Sequence, residues 1–149
     1  MDLARPEAMQ LLADLLHDGV AISLRVTGAS MRPFLAGGEV VTIEPVAPPA
    51  VRTGDVILTR GPAGQVLLHR VARIRPPGAA QRAPTFQTWG DALACPDPPV
   101  PGEAILGRLR QRPSTIPGCA GPTRLQDLRR RLIWRLRCCV MHVGRVRYR

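Results

Sequence analysis

Residues 54–74 read GDVILTRGPAGQVLLHRVARI, and the fold is decided by how this stretch divides. Val56, Ile57 and Leu58 begin an apolar run with Gly54-Asp55 ahead of it and Gly61 to Gly64 behind it, and a second run rich in β-formers follows. Glycine and proline between two such runs are turn chemistry, so the stretch predicts a β-hairpin that carries His69 on its returning strand. Upstream, VAISLRVT (20–27) sets Ile22, Leu24 and Val26 against Ser23, Arg25 and Thr27, the period of a half-buried strand. EVVTIEPV (39–46) reads as another strand. Downstream, a Pro/Gly-rich loop leads to TFQTW (85–89), and AILGRLRQR (104–112) reads as a closing strand. Between them GDALACPDPPVPGE (90–103) carries too many prolines for regular structure.

The rest of the chain is organised around this β-rich body, expected over residues 20–111. Residues 1–19 hold a helix over 4–17, with Pro6 near its start, Met9, Leu12 and Leu16 at helical spacing and Gly19 past its end. Residues 112–149 read as a linker and a basic amphipathic helix over 123–143, where Leu125, Leu128, Leu132, Leu136 and Val140 form a stripe among arginines. A chain of 149 residues has room for one domain with a real core plus an appendage. Aromatics make up 3% and Gly and Pro number 14 and 16, so the core must come from Val, Leu, Ile and Ala in short strands joined by turns.

Charge is unevenly placed. Residues 1–107 hold 9 Arg against 10 Asp plus Glu, net −1, whereas residues 108–149 hold 12 Arg against Asp127, net +11. An arginine face on a packed helix needs no partner beyond water; the same density beside a leucine stripe also suits an anionic membrane surface, and less well nucleic acid. The acidic N-terminal stretch is the wrong chemistry for a secretory leader, and no run of 18 apolar residues is present. The compartment this reading gives is the cytoplasm, peripheral to a membrane if the basic helix attaches there. Cys95, Cys119, Cys138 and Cys139 form no CxxC pair that offers a zinc site and read as reduced thiols; no metal or cofactor is expected.

Two residue types could do chemistry. Ser30 lies in Gly28-Ala29-Ser30-Met31-Arg32-Pro33, straight after a strand, where a tight bend can display a hydroxyl. Serine needs a base to act as a nucleophile. The chain has no lysine, and of its three histidines His17 lies in the acidic helix and His142 in the arginine-rich tail, which leaves His69. A carboxylate that orients its imidazole would complete the set, and Asp91 follows Gly90 at a strand end.

These boxes resemble the signal peptidase I-like family, in its endoplasmic-reticulum and archaeal branch, where histidine stands in place of the usual lysine. The family's Gly-x-Ser-Met-x-Pro is matched by Gly28, Ser30, Met31 and Pro33, its Gly-Asp by Gly54-Asp55, its His-Arg-Val by His69-Arg70-Val71, and its Gly-Asp-x5-Asp by Gly90, Asp91 and Asp97. The resemblance covers about residues 24–109 and neither terminus. It implies a LexA/signal-peptidase-like antiparallel β fold and a serine endopeptidase that cleaves a leader or precursor peptide with small residues before the cut. Ser30 is then the nucleophile, His69 the base, Asp91 or Asp97 the orienting carboxylate, and Met31 a wall of the cleft.

Three departures stand out: no membrane anchor, Gly28 where a serine is frequent two positions before the nucleophile, and the added basic helix. LRVTGASM (24–31) also resembles the self-cleaving LexA-type repressors, whose lysine base this chain lacks. Against the enzyme stands a second reading, a catalytically silent binding or regulatory module of the same fold that contacts nucleic acid through its basic helix. Vesicle co-sedimentation tests the membrane expectation. Anionic vesicles should bind the chain at low salt and lose it when residues 123–149 are deleted; binding that survives the deletion removes that role.

Overall fold

The computed structural model describes residues 6–61, 64–78 and 82–111. Its first element is helix α1 (Pro6–His17), and seven strands follow: β1 (Ile22–Arg25), β2 (Val40–Glu44), β3 (Val56–Arg60), β4 (Val66–Arg75), β5 (Thr85–Trp89), β6 (Val100–Pro101) and β7 (Ile105–Gln111). They make one curled antiparallel sheet in the order β1-β2-β7-β3-β4-β5-β6. The mainly β class expected from the sequence is what is found. The basic helix expected over 123–143, and the linker before it, lie outside the described residues.

The hairpin at 54–74 forms with Ile57 opposite His69 and Leu58 opposite Leu68. Val56, Ile57, Leu58 and Thr59 are all buried, which explains why β3 reads as a continuous apolar run and not as an alternation. The strand is covered on both faces. Val56 and Leu58 join a cluster with Leu12, Leu16, Met31, Leu35, Val41 and Ile43, while Ile57 joins Val51, Val71, Phe86, Val100 and Ile105. The helix closes the first cluster, with Leu12 and Leu16 both 2% exposed. Burial of each such side chain contributes about 1.5–3 kcal/mol.

Two details depart from the sequence reading. The proline-rich stretch 90–103 is not wholly irregular, because Val100–Pro101 pairs with Thr85 and Phe86 as a two-residue strand at the sheet edge, where a proline costs no ladder bond. More consequential is β7. It does not close the sheet at an edge but enters between β2 and β3 and pairs antiparallel with both. It thereby joins the β1–β2 hairpin to the β3–β6 meander. No helix among the described residues is long and apolar enough to cross a membrane.

Close packing at the insertion depends on Gly107. A Cβ there would stand 2.6 Å from Ile43 Cγ2, 2.8 Å from the Glu44 carbonyl oxygen and 3.3 Å from Leu16 Cδ2. Backbone cannot yield as a flexible side-chain tip can, so Gly107→Ala should overpack the join and lower stability by about 1–3 kcal/mol in urea unfolding. A variant as stable as the wild type would show that β7 has room to shift.

Candidate active site

Ser30 sits on the β1–β2 connection. Val26 N–H donates to the Glu39 carbonyl and Gly38 N–H to the Val26 carbonyl, which closes the base of this loop, and Arg25 Nη1 also donates to the Gly38 carbonyl. Inside the loop Arg32 N–H donates to Ala29 O and Leu35 N–H to Met31 O, a helical turn with Ser30 at its head. Met31 and Leu35, 2% and 0% exposed, anchor that turn in the core. Met31, expected as a wall of the cleft, is thus core packing that holds the serine in position.

His69 is 4% exposed and lies on β4. Its Nε2 is 2.9 Å from Ser30 Oγ, and its Nδ1 is 2.7 Å from Asp97 Oδ2. The same Asp97 Oδ2 accepts a 2.7 Å hydrogen bond from Thr88 Oγ1, while Asp97 N–H donates to the Thr88 carbonyl at 2.8 Å and Gln87 Nε2 to the Asp97 carbonyl at 3.3 Å. An ionised Asp97 can only accept at Oδ2, so the ring proton belongs on Nδ1 and Nε2 is left to accept from the Ser30 hydroxyl. Burial alone would raise the Asp97 pKa, but the hydrogen bonds from His69 and Thr88 and attraction to the imidazolium charge outweigh it and hold the carboxyl below its ordinary value.

Asp91, the other candidate to hold the imidazole, is placed elsewhere. Its Oδ1 and Oδ2 accept from Arg70 Nε and Nη2 at 2.9 and 2.8 Å, a bidentate pair about 12% exposed on each side. The sheet register gives the reason. Trp89 lies opposite Arg70 and Thr88 opposite Val71. Successive side chains on β4 emerge on opposite faces, so Asp91, leaving β5 after Trp89, meets Arg70, while Asp97, returning beside Thr88, meets His69. Arg70 also donates to the Gly54 carbonyl and lies 4.4 Å over the Phe34 ring. Gly54-Asp55 is a turn, as read from the sequence: Gly54 has φ +97° and Asp55 Oδ2 accepts from Arg52 N–H.

The sequence reading missed Thr88, and took Gly90 as part of a box without its role in the close approach to Ser30. Ala92 N–H donates to the Ser30 carbonyl at 2.8 Å, tying the 90–93 turn to the serine, and a Cβ on Gly90 would stand 2.8 Å from that same oxygen. Glycine is what lets the two segments meet. The signal for it was the Gly90-Asp91 pair itself, whereas nothing in the sequence distinguished Thr88 from any other strand threonine. Cys95 is a free, exposed thiol on the same loop.

Comparison with protein-family models, with curated proteins and with solved structures finds no significant match for this chain.

The depressed Asp97 gives a pH-dependent stability whose sign is fixed. A carboxyl whose folded pKa lies below its unfolded value of about 3.8 stabilises the fold fully above that value and loses the contribution as pH falls through the lower folded pKa. Urea unfolding of wild type and Asp97→Asn should therefore differ most at neutral pH and converge in acid. A difference that persists unchanged below pH 3, which lies about one unit under the reference carboxyl value, would detach Asp97 from this linkage.

Proposed function

We propose that the chain is a serine endopeptidase of signal-peptidase type, acting through Ser30 and His69 on a leader or precursor peptide. One observation carries the reading: a hydroxyl, an imidazole and a carboxylate that are far apart in sequence stand in one hydrogen-bonded line, Ser30 Oγ to His69 to Asp97. A turn serine and a core histidine have no need to meet, and a partly buried carboxylate aimed at the far ring nitrogen is a costly arrangement unless imidazolium has to be stabilised.

In this reading Ser30 Oγ attacks the peptide carbonyl carbon as its proton passes to His69 Nε2, and Asp97 stabilises the imidazolium. The carbonyl oxygen takes the negative charge of the tetrahedral intermediate. Collapse breaks the C–N bond, the Nε2 proton goes to the leaving amine, and an acyl ester stays on Ser30. Water then attacks the ester with His69 again as base, releases the acid and restores the serine. Gly28 supplies no hydroxyl to the oxyanion, so backbone N–H groups around Ser30 carry that task. The antiparallel sheet, as a LexA/signal-peptidase-like fold, and the small residues expected before the cut belong to the same proposal and rest on the four sequence boxes.

The test uses peptides with Ala at the first and third positions before the scissile bond. Ser30→Ala and His69→Ala should each abolish cleavage, with the double variant little worse than either because the pair acts as one unit. Asp91→Asn, which weakens the Arg70 pair, should leave residual activity. Cleavage untouched by His69→Ala makes the histidine structural; the absence of any Ser30-dependent cleavage leaves the silent binding module as the better description.

A further inference from the structure

We infer that Thr88 is a fourth member of the Ser30–His69–Asp97 line, a positioning residue whose hydroxyl sets both the orientation of the Asp97 carboxylate and the strength with which it holds the His69 Nδ1 proton. The inference rests on the peptidase reading for its consequence in turnover, but its geometry stands apart from that reading.

The argument begins with the strand. Thr88 is 1% exposed, the fourth residue of a five-residue strand in which only Gln87 is not buried. A buried hydroxyl must find a partner, and one that only filled space would bond a nearby backbone carbonyl. Thr88 Oγ1 instead donates to Asp97 Oδ2 at 2.7 Å, the very oxygen that faces His69 Nδ1 at 2.7 Å. Its main chain holds the same residue a second time, since the Thr88 carbonyl accepts from Asp97 N–H at 2.8 Å. Asp97 is thus gripped at backbone and side chain by one residue, and its carboxylate cannot rotate about χ2 without breaking a charge-assisted hydrogen bond.

Two donors on one oxygen compete for its electron density. The Thr88 hydroxyl draws part of that density away, so Oδ2 binds the Nδ1 proton less tightly than it would with His69 as its sole donor. The charges around Asp97 leave this competition undisturbed. From β4 it is faced by His69, from β5 by the uncharged Thr88 and Gln87, while Arg70 and Asp91 neutralise each other on the opposite side of β4. The carboxyl's preference for the ionised form includes the Thr88 hydrogen bond among its causes, after burial, which opposes it, and the bond from His69.

Removal of the hydroxyl should therefore have two effects that a merely structural threonine would not produce. In Thr88→Val the Asp97 carboxylate becomes freer to turn, and kcat should fall about tenfold with KM unchanged, the scale of one charge-assisted hydrogen bond. Oδ2 also becomes the stronger partner of imidazolium, so the acid limb of the rate profile should move to higher pH. Thr88→Ser, which keeps the hydroxyl, should restore both.

A readout independent of turnover separates this inference from the peptidase reading. The His69 Nδ1 proton and the imidazole titration can be followed by NMR in the full chain without substrate. In Thr88→Val, and in Thr88→Ala as a second hydroxyl-free variant, the proton resonance should move downfield and the titration upward, with Thr88→Ser close to wild type. Such a result in a chain that cleaves no peptide keeps Thr88 in this role and discards the peptidase. Unchanged resonance and titration in either hydroxyl-free variant overturn the inference, whatever the activity. Loss of folding in both hydroxyl-free variants while Thr88→Ser folds also overturns it, because the hydroxyl would then be serving the core and not the carboxylate.

Discussion

The insertion of β7 between β2 and β3 is the constraint on which the rest depends. Ser30 belongs to the β1–β2 half of the sheet, whereas His69, Thr88 and Asp97 belong to the β3–β6 meander. Each half pairs strands that follow one another in the chain. The sheet has a common frame for both only because Ile43 and Glu44 lie beside Leu109 and Arg108 on one edge of β7, and Ile57 and Leu58 beside Arg108 and Gly107 on the other. The row Glu44, Arg108, Ile57, His69 crosses four strands, so the histidine is registered to the serine's hairpin through β7. Charge follows the same join: Arg108 donates to Glu44 at 2.9 Å and stands 3.5 Å from Asp55, which links β2, β7 and the turn ahead of β3. Those groups are partly exposed, and their contribution is discounted accordingly.

Within that frame the site is held from two sides by unlike forces. On the serine side the hold is apolar and backbone: Met31 and Leu35 sink into the core, and the Ala92 N–H bond fastens the Ser30 carbonyl. On the histidine side it is polar and charged, with Asp97 ionised in a half-buried place because two donors, His69 and Thr88, meet its Oδ2. Burying a carboxylate without such partners costs several kcal/mol. The Arg70–Asp91 pair separates the two charge systems. Its bidentate geometry consumes Asp91, so that a second carboxylate near the imidazole does not compete with Asp97 for it.

The sequence made the strands legible where turn chemistry bracketed them, as at Gly54-Asp55 and around Gly61, and made α1 legible through the spacing of Met9, Leu12 and Leu16. It could not place β7, because a run such as ILGRLRQ pairs by contacts distant in the chain, and periodicity carries no information about which neighbours it finds. The site divides in the same way. Ser30 and His69 were legible as the bend serine and the body histidine, but the choice between Asp91 and Asp97 was not. That choice depends on which face of β4 each carboxylate meets, and hence on a pairing register of Trp89 with Arg70 that a single sequence does not contain. Thr88 was illegible for a related reason. Its role arises from a hydrogen bond to a residue nine positions on, across an irregular loop.

The absence of lysine now bears on more than the base. Every cation in the chain other than a protonated histidine or the N-terminal amine is a guanidinium, which stays charged at any working pH and cannot accept a proton from a serine. Arg70 stands next to His69 in sequence, yet its side chain is committed to Asp91, the Gly54 carbonyl and the Phe34 ring on the other face of the strand. A lysine at the same place would be a flexible point charge with only partial claim on those partners. The arginine fork instead ties the 52–55 turn to the 90–93 turn, and the latter grips the serine. Under the proposed peptidase reading, in which the base is the His69 imidazole, the neighbouring cation is best kept rigid and turned away, since a mobile positive charge beside the ring would disfavour the imidazolium that proton transfer from Ser30 would form.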